Sequence, residues 1–256
     1  MMFVKRRTAI KALAGLALYV LGGVGALALA AQVAGTVVNL SGPLMVKKAD
    51  GSVKVLALRS EVEQGDTLVS EKNTYAQIRF IDNSEITLKP GTTFTIDAFA
   101  YDAGKPDGDS ASFNLLKGGL RSVTGLLGKR NKEKFSLKTP TSTIGIRGTT
   151  FIAQVVPPLP ISSVPRAPGA LAPGLPAGVY VYVLDGAIFV ANQGGSTNFT
   201  AGQVGFTSSF TAPPVMLPTN PGVQFTLPAS FGPVASRPSG AGASGGKTEA
   251  VDCIVR

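Results

Sequence analysis

An all-β fold, a sandwich or solenoid-like stack of short strands, is what this 256-residue chain predicts. Three observations carry that expectation. Apolar residues recur at every second position beyond residue 34, the spacing of half-buried strands. Turn signals of Gly, Pro, Asn and Asp interrupt these runs roughly every eight to twelve residues. The chain holds 31 glycines and 18 prolines, a composition that favours turns over helices.

The N-terminus reads as an address. Lys5, Arg6, Arg7 and Lys11 form a basic flank, and Ala12 to Ala30 carries no charge. Ala28-Leu29-Ala30 has the small-x-small form of a secretory cleavage site. Residues 1–30 are therefore read as a signal peptide. The other reading is an uncleaved anchor, because an apolar run of this length approaches a bilayer span and its basic flank would stay cytoplasmic. Both readings place residues 31–256 outside the cytoplasm, in the periplasm or secreted, and only the anchor involves a membrane.

Strands follow in order. Val37 to Leu40 runs into Ser41-Gly42-Pro43, and Leu44 to Val46 leads to the Asp50-Gly51 turn and Val53 to Leu56. Asp-Gly between apolar runs is a hairpin signal. Thr67 to Val69 follows Gly65-Asp66. Ala76, Ile78 and Phe80 share one face, Asp82-Asn83-Ser84 turns the chain, and Ile86 with Leu88 returns. Pro90-Gly91 turns it again into Phe94 and Ile96. After the polar turn Tyr101 to Ser110, Phe113 to Val123 reads as a strand pair broken at Gly118-Gly119. Phe135 to Thr139 enters a strand that continues through the segment 139–151.

Residues 157–177 are rich in proline, which cannot join central ladders. They read as an excursion between two adjacent strands. Strands resume at Val179 to Leu184, turn at Asp185-Gly186, and continue through Ala187 to Val190 and Phe199 to Val204. Three stretches share a strand–Gly–strand form, around Gly42, Gly118 and Gly186, with Gly65-Asp66 and Gly202-Gln203 as possible later equivalents. This suggests stacked copies of one unit, although any meander is self-similar at this level. From 209 to 256 the chain reads as a Pro/Gly-rich strap and tail, with Phe210, Val223, Phe225, Leu227 and Phe231 available to pack the strap and 236–248 expected to be disordered. Val251 to Arg256 could add an edge strand or fray.

Missing residues exclude chemistry. With no His, histidine acid–base catalysis and Ser-His-Asp schemes are unavailable. One Cys, Cys253, allows no internal disulfide and no Cys-x-x-Cys site; it reads as a tail thiol, or else as a dimer bridge. Asp82 with Glu85, or Asp97 with Asp102, could be imagined as a glycosidase pair, but all sit at turns. The chain is read as non-enzymatic, with no catalytic residue, no cofactor and no metal site. The net charge of +9 falls to +5 when the four N-terminal cations are set aside. The remaining cluster Lys129-Arg130-Asn131-Lys132-Glu133-Lys134 is short, and it reads as a solvated loop, with contact to an acidic surface as the alternative; no nucleic-acid partner is implied.

The most specific segment is Thr139-Pro140-Thr141-Ser142-Thr143-Ile144-Gly145-Ile146-Arg147-Gly148-Thr149-Thr150-Phe151. Upstream come Gly65-Asp66, then Ala76-x-Ile78-x-Phe80-x-Asp82-x-Ser84, then Leu88-x-Pro90-Gly91 and Gly118-x-Leu120-Arg121. Asp185-Gly186 and Ala201-Gly202-Gln203 follow it. In this order the motifs resemble the FecR domain family over residues 34–208, most specifically over 65–156. The resemblance implies an all-β periplasmic domain of a Gram-negative bacterium. Family members often form the outer part of a transmembrane regulator that pairs with a TonB-dependent receptor and an extracytoplasmic sigma factor. Here only about ten residues precede the apolar segment, so a stand-alone domain without the cytoplasmic anti-sigma part is expected. The signature residues Thr139, Pro140, Gly145, Ile146, Arg147, Gly148, Thr149 and Phe151 carry a structural or partner-contact role. Arg147 could donate to backbone carbonyls or pair with Asp82 or Glu85, or it could meet a partner's acid. The expected function is an interaction and signalling module with an envelope protein partner. The alternative is an envelope-polymer or carbohydrate-binding structural protein, for which Tyr180 and Tyr182 share a face.

Overall fold

A computed structural model describes residues 32–158 and 174–231. Residues 1–30, most of the proline-rich stretch, and the tail with Cys253 lie outside the described residues, as do the readings made for them. Among the described residues no helix is long and apolar enough to cross a membrane.

Seventeen strands follow one another among the described residues. The first group is β1 (Val33–Leu40), β2 (Leu44–Lys47), β3 (Val53–Leu56), β4 (Glu61–Glu63), β5 (Thr67–Ser70), β6 (Ala76–Phe80), β7 (Glu85–Leu88) and β8 (Thr93–Ala100). Next come the long β9 (Ser110–Val123), a one-turn helix α1 (Leu126–Arg130), β10 (Phe135–Lys138), β11 (Thr143–Ile146) and β12 (Thr150–Val156). The last are β13 (Gly178–Asp185), β14 (Ala187–Asn192), β15 (Gly195–Thr200), β16 (Val204–Thr207) and β17 (Val215–Leu217).

They form two ladders that share β9. One runs β4-β1-β6-β7-β9-β12-β13-β16-β17. The other runs β3-β2-β5-β8-β9-β10-β11-β14-β15. β9 thus stands at the centre of both. Only its pairing with β10 is parallel.

The segment expected to be a strand pair at 113–123 is instead this single strand. Gly118 does not turn it back but bends it from one ladder into the other. Its φ is +84°, and a Cβ there would come within 2.6 Å of the Thr92 backbone, so a side chain is excluded on both counts.

Strands such as β2, β5, β6 and β8 alternate, and their inward residues meet in one core. Ala76, Ile78 and Phe80 are all buried, as are Phe94 and Ile96. Phe113 lies at the centre, with ring centroids 5.2 Å from Phe80, 5.4 Å from Phe94 and 5.7 Å from Phe135. Phe80 and Phe99 meet at 4.9 Å across the two ladders. Each such ring contributes about 1.5–3 kcal/mol by burial.

Two stretches trace the same path. β1-β2-β3-β4 and β13-β14-β15-β16 each leave the first ladder at a corner, make a hairpin in the second, and return to pair with their own first strand. The glycines at 42 and 186 mark equivalent corners. Gly118 marks a crossing in the opposite direction. Gly65-Asp66 leads from β4 out to β5, whereas Gly202-Gln203 leads from β15 back to β16, so those two turns are not counterparts.

A second apolar cluster lies on the outer face of the first ladder. Ile152, Tyr180 and Val223 are buried there, flanked by Leu175, Phe206, Leu217 and Phe225. Residues 218–231 run over this face. Phe225 and Phe231 stand edge-on to Tyr75 at 6.1 and 6.5 Å, and Lys89 Nζ sits 5.6 Å above the Phe225 ring. Burial lowers the pKa of Lys89; its amine donates to Gln154 Oε1 at 2.9 Å.

Candidate functional site at the signature corner

The segment 139–151 does not run as one strand. It divides between β11 in one ladder and β12 in the other, with Arg147-Gly148-Thr149 as the corner. Upstream, Thr139 closes the turn that reverses β10 into β11. Its N–H and Oγ1 both donate to Ser142 O, at 2.8 and 2.7 Å, and its Oγ1 accepts from Ser142 N at 3.1 Å. Pro140 is exposed in that turn. Ile146 points inward, Gly145 faces Phe189 across the β11–β14 pair, and Phe151 is fully buried.

The corner is held by backbone groups and two threonines. Arg147 N–H donates to Ala187 O at 2.9 Å and to Thr149 Oγ1 at 3.2 Å. Thr149 Oγ1 donates to Ala187 O at 2.5 Å. Thr124 and Thr149 bond reciprocally: Thr149 N–H to Thr124 Oγ1 at 2.9 Å, and Thr124 N–H and Oγ1 to Thr149 O at 3.0 and 2.7 Å. Gly186 packs directly on Gly148, where a Cβ would collide with Gly148 O. Turns that follow β9, β11 and β13 are thereby locked together.

Asp82 ties in a further turn. Its buried carboxylate accepts from Ser84 N–H at 2.9 Å, Ser84 Oγ at 2.6 Å and Leu127 N–H at 3.2 Å. Its carbonyl accepts from Leu126 N–H at 2.8 Å. Glu85 is taken by Arg79, whose Nε and Nη2 donate to Oε1 at 2.9 and 2.8 Å.

The pairing expected for Arg147 is therefore absent. Asp82 serves its own turn and α1, and Glu85 serves Arg79. The Arg147 side chain is exposed, with no hydrogen bond or ion pair to any described residue. Ile81 and Leu126 are also exposed in the turns of this end, at 44% and 45%. A free guanidinium is suited to receive a carboxylate from another molecule.

The imagined acid pairs are likewise occupied. Asp97 pairs with Lys138 at 3.3 Å. Asp102 accepts from Gly104 N–H at 2.8 Å. Among the described residues no group of three or more His, Cys, Asp or Glu is placed to hold a metal. Tyr180 is buried beneath Val223, so Tyr180 and Tyr182 do not form an open aromatic platform.

The basic cluster is not a plain loop. It forms α1 and a short 3-10 turn, Lys132–Lys134. Arg130 Nε and Nη2 grip the buried Asp109 carboxylate at 2.7 and 2.6 Å, and its guanidinium stacks 4.6 Å from the Tyr101 ring centroid. The Arg130 hydrogen bonds, with Asn131 assisting, hold the Asp109 carboxyl below the usual carboxylate range. No local pattern announces this pair, because the docking of α1 on the loop before β9 creates it. Lys129, Lys132 and Lys134 remain exposed.

No curated protein matches the chain. Among solved structures, two crystal structures of a candidate anti-sigma factor from Parabacteroides distasonis ATCC 8503, at 2.50 and 1.65 Å resolution, are similar at 11% identity with TM-scores of 0.40 and 0.41. Each alignment covers 59% of this chain, which spans 58% of theirs. A "Cell surface anchoring domain" aligns at 21% identity and TM-score 0.24, over 24% of this chain and 82% of its own. The family model described as FecR protein matches residues 66–158, a span that runs from the β4–β5 corner through β12 and contains the whole signature corner, so the chain carries a FecR domain over those residues.

Proposed function

We propose that this chain is an exported, non-enzymatic interaction and signalling module of the bacterial envelope, in the periplasm or secreted, that binds an envelope protein. The observation that carries the reading is the division of labour at the signature corner. Its backbone, Thr149 and Phe151 are consumed by the fold, while the Arg147 guanidinium is left over and faces solvent. The FecR match over residues 66–158 supports a regulatory contact. The occupied carboxylates and the absence of His support a role without turnover.

The test is crosslinking in intact cells followed by mass spectrometry, comparing the parent chain with Arg147→Glu. An envelope protein recovered with the parent and depleted at least about fivefold with the variant, at equal expression and melting temperature, is the expected result; exposed substitutions of this kind shift stability by only about 0.5 kcal/mol. Protease accessibility in spheroplasts checks the location. Recovery of glycan polymer alone, or identical capture by both chains, would overturn the proposal.

A further inference from the structure

The free edge beside β2 is a second feature that the signature corner does not use. Lys48 N–H donates to Ser52 O at 2.8 Å across the β2–β3 turn. Antiparallel pairs alternate between bonded and non-bonded. Counting back along the register, Val46–Lys54 and Leu44–Leu56 are bonded pairs, and Lys47–Val53 and Met45–Val55 are not. Val53 and Val55 therefore turn their N–H and C=O groups away from β2, toward a side where no described strand pairs.

The same two residues have the most exposed large apolar side chains among the described residues, at 63% and 73%, and Leu58 lies just beyond them. Lys54 between them is exposed and makes no hydrogen bond to a described residue. The other three edges differ. β4 presents Glu61 and Glu63. β15 is flanked by residues 211–214, with Thr197 Oγ1 donating to Pro214 O at 2.7 Å. β17 leads directly into the segment that covers the outer face.

A short edge with an inward lysine resists indiscriminate pairing. It also states which strand would fit. A second copy pairing β3 with β3 about their centre sets Lys54 opposite Lys54, which is unfavourable. An acidic residue flanked by two apolar ones meets Lys54 with its carboxylate and the two valines with its neighbours. We infer that β3 is a strand-addition site for an extended segment of a partner protein carrying an acidic residue between two apolar ones. This rests on the reading of the chain as a protein-binding module.

The probe is a fluorescein-labelled peptide, Thr-Val-Thr-Val-Asp-Val-Thr-Val, titrated by anisotropy against the full chain, beside a version with Lys replacing Asp. The parent should favour the Asp peptide by about fivefold, the order expected of a cross-strand charge pair. Lys54→Glu should reverse the preference. Methylating the alternate peptide amides that face β3 should abolish binding. No binding, or equal affinity of both peptides for both chains, would overturn the inference. So would a concentration-dependent dimer lost in Val55→Arg, which makes a second copy the occupant. Tighter peptide binding by a chain ending at Phe231 would overturn it too, in favour of this chain's own C-terminal segment. If the partner captured in cells depends on Arg147 but not on Lys54, this inference fails while the proposed function stands.

Discussion

Thr149→Val and Arg147→Ala separate what holds the signature corner from what it offers. Thr149 is buried, and its hydroxyl donates to Ala187 O and accepts from Arg147 N–H. Valine keeps the volume and removes both bonds. Each is worth about 0.5–1.5 kcal/mol net. Ala187 O and Arg147 N–H remain bonded to each other at 2.9 Å, so neither is orphaned and the lower half of that range applies. The expected loss is about 1–2 kcal/mol, which in a domain of this size lowers the melting temperature by roughly 2–8 °C. Arg147→Ala removes a side chain with no described partner and should stay within about 0.5 kcal/mol. Thermal circular dichroism at neutral pH measures both. Partner capture should show the opposite order, lost with Arg147→Ala and kept with Thr149→Val. Equal melting losses for the two variants would refute the reasoning. They would favour the other role that the sequence leaves open for Arg147, a structural one.

Gly186→Ala combines a φ of +77° with a Cβ driven into Gly148 O, and should cost about 2–4 kcal/mol in a denaturant melt. Gly145→Ala, whose Cβ would meet nothing nearer than Phe189 O at 3.9 Å, should be nearly silent in the same assay. Asp109→Asn should lower the melting temperature at pH 7. Its folded pKa is depressed, chiefly by the hydrogen bonds from Arg130, so the carboxylate stabilises the fold above its unfolded pKa of about 3.9 and ceases to do so as pH falls through the lower folded value. The gap between parent and variant should therefore narrow as the pH drops below about 4. Phe225→Ala loosens the segment over the outer face from Tyr75 and Lys89. About 1–2 kcal/mol is expected for this half-buried ring, with faster proteolysis beyond residue 217 as the readout.

Local signals served well wherever one strand faces one core. Alternation at Ala76, Ile78 and Phe80 places all three in the core, and Asp50-Gly51 and Asp82-Asn83-Ser84 do turn the chain. They failed where a strand changes ladder. Period two describes side-chain faces, and a glycine bend leaves that period intact. Gly118-Gly119 and Arg147-Gly148 could each read as a turn, a bulge or a continuation. Only the ladders on either side decide, and these pair residues far apart in sequence, such as Gly118 with Val155. The same distance hides Arg130 from Asp109. α1 is too short for helical periodicity to register.

The signature segment shows why a pattern of residue types does not by itself assign roles. Thr149, Ile146 and Phe151 are there because the corner between β11 and β12 needs a buried hydroxyl and two inward apolar groups. Arg147 stands between them in sequence, yet its backbone N–H alone does that work. A guanidinium has five donors, and burying them unmet would be costly. An arginine whose donors the corner would have to satisfy should therefore reveal acceptors in its surroundings. The nearest carboxylates in the sequence reading, Asp82 and Glu85, are instead spent on Leu127, Ser84 and Arg79. Among the described residues nothing in the corner satisfies a cation at position 147, and this is why the proposed partner contact is assigned to that side chain rather than to its neighbours.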